Sequence, residues 1–201
     1  MIKNIIFDMG KVLIHFDPEY YLDKEKVFDK NDRDLLLKEI FYSPYWLQMD
    51  EGILDETEMF EKIRGIIPER LHGVSEALLF HWHDPLIPIE GMDDLVMTLK
   101  EKGYGIYLLS NASIQQKEYW PRYKSSRYFD GVVVSAFERC IKPDPAIYHI
   151  LLDRYHLKAE ECIFIDDRQI NVDTADNIGM KGHLFIDTEE LKIFFEKEGI
   201  L

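Results

Sequence analysis

Four short apolar runs of this chain each lead to residues that can do chemistry. IIFDMGKV stops on Asp8 with Gly10 two residues on, and IYLLSNAS delivers Ser110 and Asn111. GVVV is followed by Lys142 in CIKPDPAIY, and CIFIDDRQINVDTA ends on Asp166 and Asp167. Carboxylates converging on one point cannot all stay ionised cheaply unless a cation sits among them. All-oxygen ligation by carboxylates, a backbone carbonyl and waters suits Mg²⁺. Such a metal and Lys142 would neutralise a phosphoryl group, Ser110 would hydrogen-bond one of its oxygens, and Asp8 would attack it in line to form an aspartyl-phosphate. Each residue also has a plain structural role. Asp8 can cap a turn, Ser110 can open a helix, Lys142 can be solvated, and Asp166 and Asp167 can sit at the positive end of a helix dipole. The combination favours chemistry, because independent caps give no reason for one lysine among acids at the mouth of one sheet.

The elements that must position these residues are legible. Residues 2–7, 105–109, 131–134, 162–165 and 182–185 are rich in β-branched and aromatic side chains and read as strands, with amphipathic helical segments between the last four. Strand and helix in alternation predict a parallel sheet covered on both faces, an α/β Rossmann-like core. Ligands of such sheets bind off the carboxyl ends of the strands, where the four runs deliver their polar residues. Residues 15–88 contain no convincing strand. Helical segments are predicted at 18–28, at 30–41, from Asp55 with Glu58 completing a capping box, and at 68–81. The expected organisation is a core of residues 1–14 and 89–201 with a helical cap, residues 15–88, inserted after the first strand. Pro85, Pro88 and Gly91 punctuate the return to a helix running to Lys102. Within the cap, the acidic stretch MDEGILDETE reads as a solvated turn and helix start. Tyr20, Tyr21, Tyr45 and Trp46 read mainly as packing residues, as do Trp120 and Pro121.

Composition narrows the partners. The 201 residues are 46% hydrophobic, enough for one good core, and carry 38 acidic against 24 basic side chains for a formal charge of −14. That field repels nucleic acid and anionic membranes, so neither is an expected partner. The apolar runs fall short of the roughly 18 residues of a membrane span. Cys140 and Cys162 are too few for a disulfide framework, which suits a reducing, cytoplasmic setting. A small anionic ligand is compatible with this charge if a metal or lysine offsets the field locally, and the chain is expected to be a monomer or weak homodimer.

With these motifs in place the sequence resembles the haloacid dehalogenase superfamily of hydrolases along essentially its whole length. FDMGKV resembles that family's first motif, LLSN its second, Lys142 of IKPDPAIY its third, and FIDDRQINVDTA with Gly179 its fourth. The resemblance implies Asp8 as covalent nucleophile and Ser110, Asn111 and Lys142 as substrate-binding groups. It also implies Mg²⁺ held by Asp8, the Gly10 carbonyl, Asp166 and Asp167, and a small phosphorylated metabolite as substrate. Within the family, FDMGKV, SNAS followed by YWPRY, KPDPAIY and FIDD are most similar to sugar-phosphate phosphatases of the glucose 1-phosphatase type. Gly10 departs from the usual pattern, which places a second Asp there to protonate the leaving oxygen. General acid–base help is worth about 10²–10⁴ in rate. Lys11, His15 and Asp17 are the nearby candidates to replace it. Two other readings follow from the departure: a metal-independent dehalogenase, whose halide leaves without a proton, and an inactive member that binds a phosphorylated ligand or partner.

Overall fold

The computed structural model describes all 201 residues. Five parallel strands, β1 (Asn4–Phe7), β2 (Gly105–Ser110), β3 (Gly131–Val134), β4 (Cys162–Asp166) and β5 (Lys181–Leu184), form one sheet in the order β3-β2-β1-β4-β5. β1 is therefore central, with Ile5 beside Ile106 on one side and Ile163 on the other. The chain runs outward from β1 to β2 and β3, then crosses to β4 and β5, so the order reverses beside β1. At that switch point neighbouring connections leave in opposite directions and open a crevice at the carboxyl ends.

Alternation along the central strands β1, β2 and β4 buries both faces. Ile5, Phe7, Ile106, Leu108, Ile163 and Ile165 join one apolar cluster, whereas Ile6, Tyr107, Leu109, Cys162 and Phe164 join the other. Between β1 and β2 the chain is helical: α1 (Pro18–Lys24), α2 (Lys30–Leu36) continuing as a π-helical turn (Leu37–Phe41), α3 (Pro44–Asp50), α4 (Glu56–Arg64) and α5 (His72–Phe80). Their apolar residues, including Phe41, Met49, Met59 and Trp82, belong to the same cluster as Ile5 and Phe7, so this insertion packs onto the sheet layer. The remaining helices are α6 (Met92–Glu101), α7 (Gln116–Tyr119), α8 (Ser135–Glu138), α9 (Pro145–Arg154), α10 (Gln169–Asn177) and α11 (Thr188–Lys197). No helix is long and apolar enough to cross a membrane.

The expected capping box opens α4, with the Asp55 side chain accepting from the Glu58 N–H and the Glu58 carboxylate accepting from the Asp55 N–H. The helix α3 is an addition to the expected set. Its start signals are orthodox, Ser43 as N-cap accepting from the Trp46 N–H and Pro44 in the first turn. They follow the helix expected at 30–41 at once, in a stretch to which the sequence reading assigns no element.

Candidate active site

Asp8 follows β1 directly, and its N–H continues the ladder by donating to the Ile165 carbonyl at 2.9 Å. Lys142 reaches it from the loop before α9. Its Nζ lies 2.8 Å from Asp8 Oδ1 and 2.7 Å from Asp166 Oδ2, with the ammonium almost fully enclosed. Burial works against the charge on Lys142, but the two carboxylates outweigh it and hold its pKa above the ordinary lysine value. Burial pushes the Asp8 carboxyl well above the usual carboxylate range, Asp166 adds repulsion, and Lys142 pulls it part of the way back.

Asp166 and Asp167 are neighbours with different tasks. Asp166 is fully buried, and its oxygens accept from Lys142, the Arg168 N–H and the Asn171 side-chain amide. Asp167 is half-buried and its carboxylate accepts no side-chain hydrogen bond; burial raises its pKa, with Asp166 contributing. Carboxylate oxygens of Asp8, Asp166 and Asp167 lie within 4.8 Å of one another. Of the three carboxylates, Asp8 and Asp166 pair directly with Lys142, whereas Asp167 has no ion pair. The Gly10 carbonyl beside them accepts no hydrogen bond from the protein. An all-oxygen donor set with excess negative charge and no sulfur or imidazole fits a hard divalent cation such as Mg²⁺.

The second motif does something other than expected. The Asn111 side chain is spent on the Lys142 backbone, Nδ2 donating to its carbonyl at 2.9 Å and Oδ1 accepting from its N–H at 2.8 Å. These two hydrogen bonds tie the turn after β2 to the lysine-bearing loop, so Asn111 positions Lys142, while its second N–H is left over and the residue lines the space beside Asp8. Ser110, 1% exposed, ends β2 with only a long 3.5 Å contact from its hydroxyl to the Asn111 carbonyl.

Two chambers open on Asp8 and Gly10. The polar one also contains Lys11, Lys142, Asp167, Arg168 and Asn171, so cations and carboxylates face one another across it. The other, about 630 Å³ and open to solvent, is walled by Phe16, Trp46, Trp82 and Tyr119 and carries two further carboxylates, Asp50 and Glu56. The aromatic wall is continuous: the Phe16 and Trp82 rings meet edge to face at 5.2 Å, as do Trp82 and Tyr119. Of the residues considered as substitutes for a second Asp, Lys11 is in the polar chamber, while His15 and Asp17 face grooves on the outside of both.

The stretch MDEGILDETE contains the expected turn and helix start, with Ile53, Thr57 and Glu58 exposed, but Asp50 and Glu56 turn inward to line the chamber. Glu56 is 5% exposed and accepts a short hydrogen bond from the Ser113 hydroxyl, and burial raises its pKa. Gly52 presses against the segment after β3, where a Cβ would stand 2.1 Å from the Ala136 carbonyl oxygen, and its φ of +72° also demands glycine. Gly52→Ala is expected to destabilise the protein by about 1–3 kcal/mol, read as a lower urea midpoint with an unchanged slope. Sequence reasoning missed Asp50, Glu56, Trp82 and Tyr119. The one local signal was an unusual density of acids around a glycine.

A family model for haloacid dehalogenase-like hydrolases matches residues 2–179. The chain belongs to that family. Among curated relatives of this hydrolase, flavin mononucleotide hydrolase 1 of Arabidopsis thaliana is 28% identical over 190 residues, covering 93% of this chain and 74% of the relative. D-ribitol-5-phosphate phosphatase of Bacteroides thetaiotaomicron is 24% identical, covering 90% of each. Among solved structures, a haloacid dehalogenase family enzyme of B. thetaiotaomicron in complex with magnesium and inorganic phosphate superposes with a TM-score of 0.76 at 23% identity, over 97% of this chain and all of the other. The L-2-haloacid dehalogenase of Xanthobacter autotrophicus superposes with a TM-score of 0.65 at 17% identity, over 100% of this chain and 85% of the other. At these identities the structural matches establish a common haloacid dehalogenase fold.

Proposed function

We propose that this hydrolase cleaves phosphate monoesters of small metabolites through an aspartyl-phosphate on Asp8, with Mg²⁺ as cofactor. The observation that carries the reading is the contact of one buried ammonium, Lys142 Nζ, with both Asp8 and Asp166 at the switch point of the sheet, beside the free carboxylate of Asp167. The names of the relatives agree, since flavin mononucleotide hydrolase, D-ribitol-5-phosphate phosphatase and sesquiterpene phosphatase are named for phosphate esters.

The residues divide the work as follows. Lys142 fixes the rotamer of Asp8 and favours its ionised form, leaving the second oxygen to attack phosphorus. The Asp8–phosphorus bond forms as the bond to the leaving oxygen breaks, and that oxygen takes up a proton. Water then attacks the same phosphorus, the Asp8–phosphorus bond breaks, and phosphate leaves with the carboxylate restored. Asp8, Asp167 and the Gly10 carbonyl would hold the metal, with Asp166 behind them keeping Lys142 and the loop in place. Bound there, the metal supplies charge neutralisation for the phosphoryl oxygens. Lys11 and Arg168 line the chamber that receives this dianion. The helical insertion, residues 15–88, serves as a cap that supplies the aromatic walls around the leaving group and excludes water.

The test is phosphate release over a panel of sugar, polyol, nucleotide and aryl phosphates, with Mg²⁺ and then with chelator. Turnover of at least one ester, abolished by chelator and restored by excess Mg²⁺, is the expected result. Gly10 gives the dehalogenase reading its one supporting observation, since halide departs unprotonated. Halide release from a 2-haloacid that ignores chelator, with no phosphate release, would replace the phosphatase reading.

A further inference from the structure

The phosphatase reading leaves the leaving oxygen without a proton source, because Gly10 brings none to the side of Asp8 that faces the aromatic chamber. Packing does not impose this glycine. A Cβ there would meet only the Phe16 Cβ at 3.8 Å, an ordinary contact. The missing group must come from elsewhere around the same chamber.

We infer that Asp50, carried by the helical insertion at the end of α3, is the general acid that protonates the leaving oxygen and then the general base that accepts a proton from the attacking water. The inference rests on the phosphatase reading and deepens it. Three observations place Asp50 in the role. It lines the chamber that also contains Asp8 and Gly10, close enough for the Asp8 charge to act on it. Its backbone is clamped to the core: the fully buried Ser135 hydroxyl donates to the Asp50 carbonyl while accepting from the Ala112 N–H at 3.0 Å, and Gly52 lets the turn seat against Ala136. Its carboxylate is bonded to no protein group, whereas Glu56, the other acid facing this space, is held by Ser113.

The surroundings suit proton exchange. Burial pushes the Asp50 carboxyl up to about 7, with Asp8 and Glu56 adding repulsion and Lys142 opposing them. Tyr119, whose hydroxyl is held far above its ordinary pKa by burial, remains neutral in the same wall. The proton count closes over a cycle. Asp50 gives its proton to the leaving oxygen as the phosphorus bond breaks and regains one from the water that cleaves the aspartyl-phosphate, so no further reactant is needed.

The test compares wild type, Asp50→Asn and the double variant Gly10→Asp/Asp50→Asn on 4-nitrophenyl phosphate and on the fastest alkyl phosphate of the panel. For Asp50→Asn, kcat on the alkyl ester is expected to fall 10²–10⁴-fold, with KM shifting far less. On the aryl ester, whose leaving group needs no proton, a burst of about one equivalent of nitrophenolate should survive and be followed by slow turnover, because the aspartyl-phosphate then lacks its base. Gly10→Asp, which the open space admits, should restore alkyl turnover at least tenfold in the double variant. Wild-type rates for Asp50→Asn on both esters would overturn the assignment. So would an effect confined to KM, which marks a carboxylate that binds substrate hydroxyls. A wild type with no phosphate release, or with release unaffected by Asp8→Asn, overturns the phosphatase reading itself, whereas dependence on Asp8 alone overturns only Asp50.

Discussion

Asp8→Asn is expected to lower phosphate release by on the order of 10³-fold or more on every ester, good and poor leaving groups alike, because on the proposed mechanism it removes the atom that bonds to phosphorus. Uniform loss is what separates a nucleophile from a proton donor, whose removal spares activated esters. The fold should be retained. Asn keeps the shape of Asp8, and Lys142 keeps Asp166 as a partner at 2.7 Å. Stability supplies an internal control. Burial raises the folded pKa of Asp8 above its unfolded value, so ionising it destabilises the metal-free native state increasingly as pH rises from the unfolded value through the raised folded one. The metal-free variant should therefore match or exceed wild type in thermal midpoint at pH 8, with the difference shrinking towards pH 4. A variant that is inactive and also much less stable at pH 8 would show that Asp8 serves the fold more than the chemistry.

Lys142→Met is expected to cost about 3–5 kcal/mol of stability at pH 8 as well as activity, since it strips the partner from two buried carboxylates and leaves their charges unpaired. The methionine fills most of the space, so lost packing contributes little. Without Lys142, Asp8 loses the charge that pulls its pKa back towards the ordinary range, and its folded pKa rises further above the unfolded one. The variant is then most stable at low pH and loses stability as pH climbs through the raised folded value of Asp8. The gap from wild type should widen between pH 5 and pH 8 in urea titrations. Mg²⁺ should narrow it by supplying the missing positive charge. An equal midpoint at pH 8 would mean that Lys142 does not sit between these carboxylates.

The two experiments bracket the site from opposite sides. One removes the reacting atom and leaves the frame; the other removes the frame and leaves the reacting atom. Asn111 belongs with the frame, since its amide bonds only to the Lys142 backbone. Its loss reaches chemistry through the placement of that lysine.

Much of this was legible in the sequence for physical reasons. A parallel strand buried on both faces is short and rich in apolar residues, which made the first four strands visible, and each of the five begins and ends within two residues of expectation, although the edge strand β5 is only partly buried. Asp8, Lys142 and Asp166 stand at the ends of these strands or in the loops beside them, and strand ends of one parallel sheet share one edge. Their convergence therefore followed from element order. The capping box at Asp55 was equally local, because its donors and acceptors lie three residues apart.

Other features were decided only by tertiary contact. Periodicity reports which face of a helix is apolar but not what a polar end of that helix meets, so MDEGILDETE read as solvent-facing. Packing of α3 and α4 against Ser113, Ser135 and Ala136 turned Asp50 and Glu56 inward. The turn after β2 likewise offered a hydroxyl and an amide, and only the approach of the Lys142 loop determined that the amide also holds that loop in place. The sequence by itself determined the parallel sheet and the acids at its strand ends, Asp8 among them, because these depend on patterns a few residues long. The tertiary structure decided which further carboxylates line the chamber beside Asp8, because that depends on how an insertion of helices seats on a sheet, a contact between residues more than fifty positions apart.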